Sequence, residues 1–370
     1  MNYFTRAAPR CGLLARHGRR TALAAVAGLT VLVTGCGGTS SGGTSATRSS
    51  PAATSKPRST SAPSPAGETP AVGGKSATAG GALFGGNGAL VAEEGNLGRK
   101  LAIVRVYYEI GQPFPGRQDQ RLMASGSTLL VSLGTNRASY ASVAAGHFDG
   151  YLSAFLGAVD QAAVTYHLGA IYVSFQHEPD GPKHTALGSP AEFVRAWDHV
   201  QGLAEDAGLN WTQGGRLHWV WILTHSSFGK RMANWYWPGD GTVDVVGVDG
   251  YDSYACRVAR HGGIARPKVN DAVTPASIFA PAIAFARAHG GLPVFISEWG
   301  SDPVPAGAQP KFIRRMQAFV AGNREIGAVM YWDSDMGCNY SVNSSPVSIA
   351  ALATMGRSAA LQGRVTGPAN

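Results

Sequence analysis

From residue 82 to residue 370 the chain repeats one alternation, a short apolar run followed by a segment with helical spacing. Runs rich in β-branched or aromatic residues begin near Ala82, Leu101, Thr128, Ala170, Leu217, Val243, Leu292 and Ala328. Many are continuously apolar, as burial on both faces of a parallel sheet requires. Between them, residues 148–163, 191–207, 275–288, 310–321 and 347–355 carry apolar positions at helical intervals. Ser189 before Pro190 and Thr274 before Pro275 place a capping hydroxyl ahead of a proline at the first helical position, and Gly290-Gly291 ends the second of these helices. Strand and helix alternating about eight times predict an α/β fold of the closed (β/α)8 TIM-barrel type rather than an open doubly wound sheet. No Gly-x-Gly-x-x-Gly follows the first strand, which disfavours a dinucleotide site.

The remaining residues account for the charge. The whole chain carries a formal +8, but residues 1–35 hold five Arg and no acid, and residues 36–80 hold four bases and one acid. Removing these nine bases and one acid from 31 and 23 leaves 22 of each, so the barrel segment is neutral and a nucleic-acid partner is not expected.

Residues 1–35 read as an export signal, Arg-rich and then uncharged from Thr21 to Gly35. It ends in Val33-Thr34-Gly35-Cys36, which resembles the bacterial lipoprotein box, so Cys36 is expected to be lipidated and to hold an exported protein on the outer face of the cytoplasmic membrane. Residues 36–81 are dominated by Ser, Thr, Ala, Gly and Pro and read as a tether, leaving 82–370 as one domain, expected to be a monomer. Cys256 and Cys338 are the two thiols left in that exported domain. They make a candidate disulfide.

In a barrel of this kind function gathers at the carboxyl ends of the strands. The fourth run, from Ala170 to Phe175, leads into Gln176-His177-Glu178-Pro179-Asp180-Gly181, and the seventh, from Pro293 to Ser297, into Glu298-Trp299-Gly300. Glu178 and Glu298 are therefore expected to face one cleft. Two such carboxyls suit glycosidic cleavage, which needs one protonated acid and one ionised partner. The charge of Glu298 is expected to raise the pKa of Glu178 and keep it protonated. Arg105, inside the second apolar run, needs a buried carboxylate, and Glu298 is the expected partner. Trp235, Trp237, Trp299 and Trp332 fall at or just after strand ends, where flat rings would stack on sugars, whereas Trp219 and Trp221 read as core.

The residues from 82 to about 360 resemble glycoside hydrolase family 26. The likeness rests on 97–101 (LGRKL), His177-Glu178 with Gly181, Trp219-Val220-Trp221, 235–240 (WYWPGD), 243–251 (VDVVGVDGY), 297–300 (SEWG) and Tyr331-Trp332. The resemblance implies a retaining endo-β-glycanase with Glu178 as acid/base and Glu298 as nucleophile, acting on a polysaccharide or oligosaccharide. It also implies that His177 and Tyr251 hold the nucleophile and nearby hydroxyls, and that Trp332 floors the subsite beside the cleaved bond. β-1,4-Mannan or galactomannan is the first expected substrate; mixed-linkage β-glucan and β-1,3-xylan are alternatives, as is a glycan-binding lipoprotein without catalysis. The chain departs from the family's usual pattern at Pro179-Asp180 and at Pro182-Lys183-His184, where aromatic residues are common. No metal or cofactor is expected: Pro179 and the spacing to His184 do not make a His-Glu-x-x-His helix, and Asp333-Ser334-Asp335 lacks the downstream carboxylate of a calcium loop.

Overall fold

The computed structural model describes residues 78–253, 255–257 and 273–365. The expected leader, tether and Cys36 lie outside the described residues. Eight parallel strands close a barrel in sequence order: β1 (Leu83–Asn87), β2 (Ile103–Glu109), β3 (Thr128–Gly134), β4 (Ile171–Phe175), β5 (Leu217–Thr224), β6 (Val245–Asp252), β7 (Val294–Ser301) and β8 (Ile326–Tyr331). Each start lies within two residues of its sequence expectation. The predicted helices appear as Asp149–Thr165, Pro190–Asp206, Pro275–Ala288, Ala308–Ala321 and Pro346–Gly356. The helix Arg117–Ala124 escapes pattern reading because Leu122 and Met123 are its buried apolar residues amid polar ones.

Local chemistry sets the helix starts. Ser189 and Glu192 exchange hydrogen bonds in a capping box, and Thr274 caps the amide of Ser277, each cap contributing roughly 1 kcal/mol. The core has two layers. Leu83, Ile103, Leu130, Tyr172, Ile222 and Phe295 fill the barrel, while residues such as Trp197, Trp219 and Trp221 pack between strands and helices. An antiparallel pair, Thr78–Gly81 with Leu361–Val365, lies where the chain enters β1, and Val365 packs against the barrel filling. Apolar side chains thus close the amino-terminal end. Toward the carboxyl ends of the strands the interior turns polar, with Arg105, Ser132, Asp249 and Glu298 all buried.

Candidate active site

The acid-bearing turn after β4 is built from unusual backbone. Gln176 and Glu178 have φ of 47° and 49°, left-handed values that cost a residue with a Cβ roughly 1–2 kcal/mol each. Flanking hydrogen bonds hold them there. The amide of Gln176 donates to Leu133 at 2.7 Å and that of Glu178 to Ile222 at 3.0 Å, tying the turn to β3 and β5. The carbonyl of Glu178 accepts from the amide of Gly181 at 2.9 Å and meets His184 Nδ1 at 2.7 Å. Asp180 is turned away toward β5, where its carboxylate accepts from the amide and hydroxyl of Thr224 and from the Ser227 hydroxyl. The Pro179-Asp180 departure therefore serves to bind this turn to its neighbouring strand.

A bulge in β7 aims the second carboxyl. Val248 pairs with Ile296 and Asp249 with Glu298, so one extra residue of β7 is accommodated between them. Ser297 and Glu298 then both face the barrel interior. Gly247 on β6 makes room, since a Cβ there would lie 2.9 Å from Ser297 Oγ. Donors converge on Glu298: Tyr107 gives its hydroxyl to Oε1 at 2.5 Å, Arg105 approaches Oε1 at 3.1 Å, and the Tyr251 hydroxyl donates to Oε2.

Arg105 does reach Glu298, as expected, but Asp249 is the partner that binds it more fully. Its Nη1 lies 3.0 Å from both Asp249 oxygens, and its Nε donates to Ser132 at 3.0 Å. Burial opposes the cation, yet Asp249, Tyr107 and Glu298 together raise the Arg105 pKa, so the guanidinium keeps its charge. The phenols of Tyr107 and Tyr251 are held well above their ordinary range, by burial first and then by the charge of Glu298, which for Tyr107 acts against the lowering effect of Arg105, and they remain donors.

Glu178 is raised to about 7, by burial first and by the charge of Glu298 second. The sequence argument named the smaller of these two causes. Arg105 and Lys183 pull in the opposite direction without cancelling them. The arrangement gives one carboxyl that holds a proton near neutrality and another that receives donors on both oxygens.

Two expected sugar contacts and one expected contact to Glu298 are corrected by the structure. Trp299 is fully buried and packs against Tyr331 and Phe312 on the outer side of β7, so no face of it reaches the cleft. Trp237 packs on Trp221, Phe285 and His289, and the latter two lie at the far end of the helix Pro275–Ala288 and just past it, so it is part of the outer layer. His177 makes no hydrogen bond to Glu298: its ring meets Tyr107 edge-on at 5.6 Å and His184 at 5.9 Å. Burial, with Arg105, His184 and Lys183 nearby, holds its pKa well below the usual range, so the imidazole is neutral. Trp332 does lie beside the site, 5.7 Å from Tyr107 between ring centroids and half-buried.

Tyr107 and Asp249 were missed by sequence reading. Alternation along the strand was the available signal: Arg105 and Tyr107 share one face of β2, as do Asp249 and Tyr251 on β6. Cys256 and Cys338 are bridged, with Cα atoms 5.6 Å apart, joining the segments that follow β6 and β8. Just beyond the bridge, Tyr340 stacks on Tyr251 at 4.8 Å and 18° between planes. Among the described residues, the one grouping of metal-ligand side chains is this disulfide with Asp302 beside it.

No protein-family model matches the sequence, and no curated protein does. Solved structures match the fold. The GH26C protein of Muricauda sp. MAR_2010_75 aligns with a TM-score of 0.55 at 12% identity, over 76% of this chain and 86% of its own. A modular endo-β-1,4-mannanase of Cellulomonas fimi aligns with a TM-score of 0.52 at 16% identity, over 78% and 76%. The family 26 β-mannanase of Bacteroides ovatus gives 0.51 at 14% identity, over 76% and 90%. The family resemblance carried by the sequence motifs thus extends to the fold, a (β/α)8 barrel shared with these enzymes.

Proposed function

We propose that the protein is a retaining endo-β-glycanase with Glu178 as acid/base and Glu298 as nucleophile. One observation carries this reading: donors from three strand positions converge on Glu298, while Glu178, at the end of β4, holds its proton near pH 7. In the first step a Glu298 oxygen bonds to the anomeric carbon, the glycosidic C–O bond breaks, and the Glu178 proton passes to the leaving oxygen. The Glu298 charge is then consumed in an ester, which removes one of the causes that raise Glu178. As a carboxylate, Glu178 takes a proton from water while the water oxygen bonds to the same carbon and the ester bond breaks. Trp332 and Tyr107 flank the attacked sugar in this reading, and Tyr251 holds the nucleophile.

β-1,4-Mannan or galactomannan is the first substrate, supported by the family resemblance and by the names of the similar structures. Mixed-linkage β-glucan or β-1,3-xylan is the second, favoured by the departure from the family pattern between Pro179 and His184. Product release from mannan, galactomannan, glucomannan, lichenan, xylans and cellulose tests this, with Glu298→Ala beside the parent. Release by the parent alone supports the mechanism and identifies the glycan. Equal hydrolysis by the variant overturns it, and binding without release favours a non-catalytic glycan receptor.

We also read the protein as an exported lipoprotein held by Cys36, supported by the Arg-rich leader and the Val-Thr-Gly-Cys motif. Release of the Cys36→Ser variant into the medium is the expected result.

A further inference from the structure

Resting on the glycanase reading, the rim around Glu178 points to the chemistry of the leaving sugar. Glu178 protonates the departing oxygen, so the fragment that leaves lies on its side of the cleft. The first surface there is the turn 179–184, where Lys183 is exposed and His184 is tied back to the Glu178 carbonyl. The charge of Lys183 acts on both His177 and Glu178. Next around the mouth come His225 at the end of β5, which feels Lys230 and Arg257, and Arg257 itself, exposed just after β6. Among the described residues, none of Lys183, Lys230 and Arg257 is in an ion pair. Asp180, the nearby acid, has its carboxylate occupied by Thr224 and Ser227.

The opposite side of the mouth is different. At the end of β2 and after β8 stand the exposed acids Glu109, whose carboxylate accepts from the amide of Asn136, and Asp335, together with the aromatic rings of Tyr107 and Trp332. Lys183, Lys230 and Arg257 thus place positive charge on the side where the leaving fragment sits, while the rim beside the attacked sugar mixes Glu109 and Asp335 with Arg137, exposed just after β3. At Pro182-Lys183-His184, where the family pattern commonly has aromatic residues, this chain carries the exposed ammonium of Lys183. A flat ring binds the face of a neutral sugar, whereas an exposed ammonium gains most from an anionic one.

We propose that the leaving-group side of the cleft selects a uronic acid, a sugar carrying a ring carboxylate, with Lys183 as its principal counter-ion. The catalytic steps are unchanged; the selection acts on which bond along a mixed chain is cut.

The full-length protein would be given glucomannan and mixed-linkage β-glucan, each native and partly oxidised at C6 to the carboxylate. The leaving fragment supplies the new non-reducing ends, so these should be enriched in uronate about threefold over the new reducing ends at low salt, as an exposed ion pair allows. The enrichment should shrink at about 0.5 M salt, disappear in Lys183→Met and invert in Lys183→Glu. Cleavage of the native polymers without enrichment in the oxidised ones overturns this specificity and leaves the glycanase reading standing. Failure to cut any of these four polymers, with mannan, galactomannan and xylans equally untouched, overturns both.

Discussion

A single nitrogen of Arg105 lies 3.0 Å from both oxygens of Asp249 and 3.1 Å from Glu298. The cation is thus shared between a structural carboxylate and the proposed nucleophile. Asp249→Asn removes the charge that compensates Arg105 inside the barrel and leaves Glu298 as its main counter-ion. The variant should lose about 3–5 kcal/mol of stability in urea denaturation, the usual cost of leaving one partner of a buried pair uncompensated. It should also lose turnover, because Glu298 is drawn toward Arg105. A loss below about 1 kcal/mol would contradict this account of the pair.

Tyr107 and Tyr251 each give Glu298 a hydroxyl that phenylalanine lacks. A hydrogen bond to a charged group contributes about 1.5–3 kcal/mol, so each Tyr→Phe change should lower kcat by roughly 10- to 100-fold. Tyr251→Phe keeps the ring stacked on Tyr340, and its melting temperature should stay within a few degrees of the parent. Unchanged kcat in both variants would remove the tyrosines from the proposed machinery.

With Glu178 at about 7, kcat/KM on a polysaccharide should fall as pH rises through that value, because the ionised form has no proton to give. Glu178→Gln should lose polysaccharide hydrolysis while still attacking an aryl glycoside whose leaving group needs no proton. Stability carries a second signature. From the ordinary value of 4.5 up to about 7 the unfolded chain releases this proton and the folded chain keeps it, so the group's contribution to stability declines across that window and stays low above it. Glu178→Gln should therefore melt higher than the parent at pH 8, with the gap closing toward pH 4.

Two tryptophans near the carboxyl ends of neighbouring strands should behave oppositely. Trp299→Ala empties a site between β7 and the helix Ala308–Ala321 and should cost about 3–5 kcal/mol. Trp332→Ala, at the half-buried cleft position, should raise KM or lower kcat with a much smaller change in melting temperature. If the stability losses were equal, the assignment of Trp332 to the cleft would be wrong.

The barrel was legible because its requirements are local and repeated. Continuous apolar runs mark strands buried on both faces, and Ser189-Pro190 and Thr274-Pro275 mark helix starts by capping chemistry alone. Glu178 and Glu298 were legible because polar residues interrupt those runs where a barrel opens. What escaped was set by side-chain direction. Tyr107 sits in an apolar strand and reads as filler until alternation is followed from Arg105, and Asp249 reads as one acid among several until Arg105 is seen to need it. Trp237 belongs to a segment that folds back along the outside of β5, and neither composition nor spacing records that return. The low pKa of His177 arises from burial and neighbouring cations brought together by the fold.

The bulge in β7 also works as a frameshift in three dimensions. Phe295 fills the barrel and Ile296 the outer layer, so strict alternation would send Ser297 inward, Glu298 outward and Trp299 inward. The surplus residue changes the parity from there on, giving the carboxylate to the cleft and the indole to the oily shell. A deletion or insertion of one residue just upstream would exchange the two, leaving the composition nearly intact and the barrel without its proposed nucleophile.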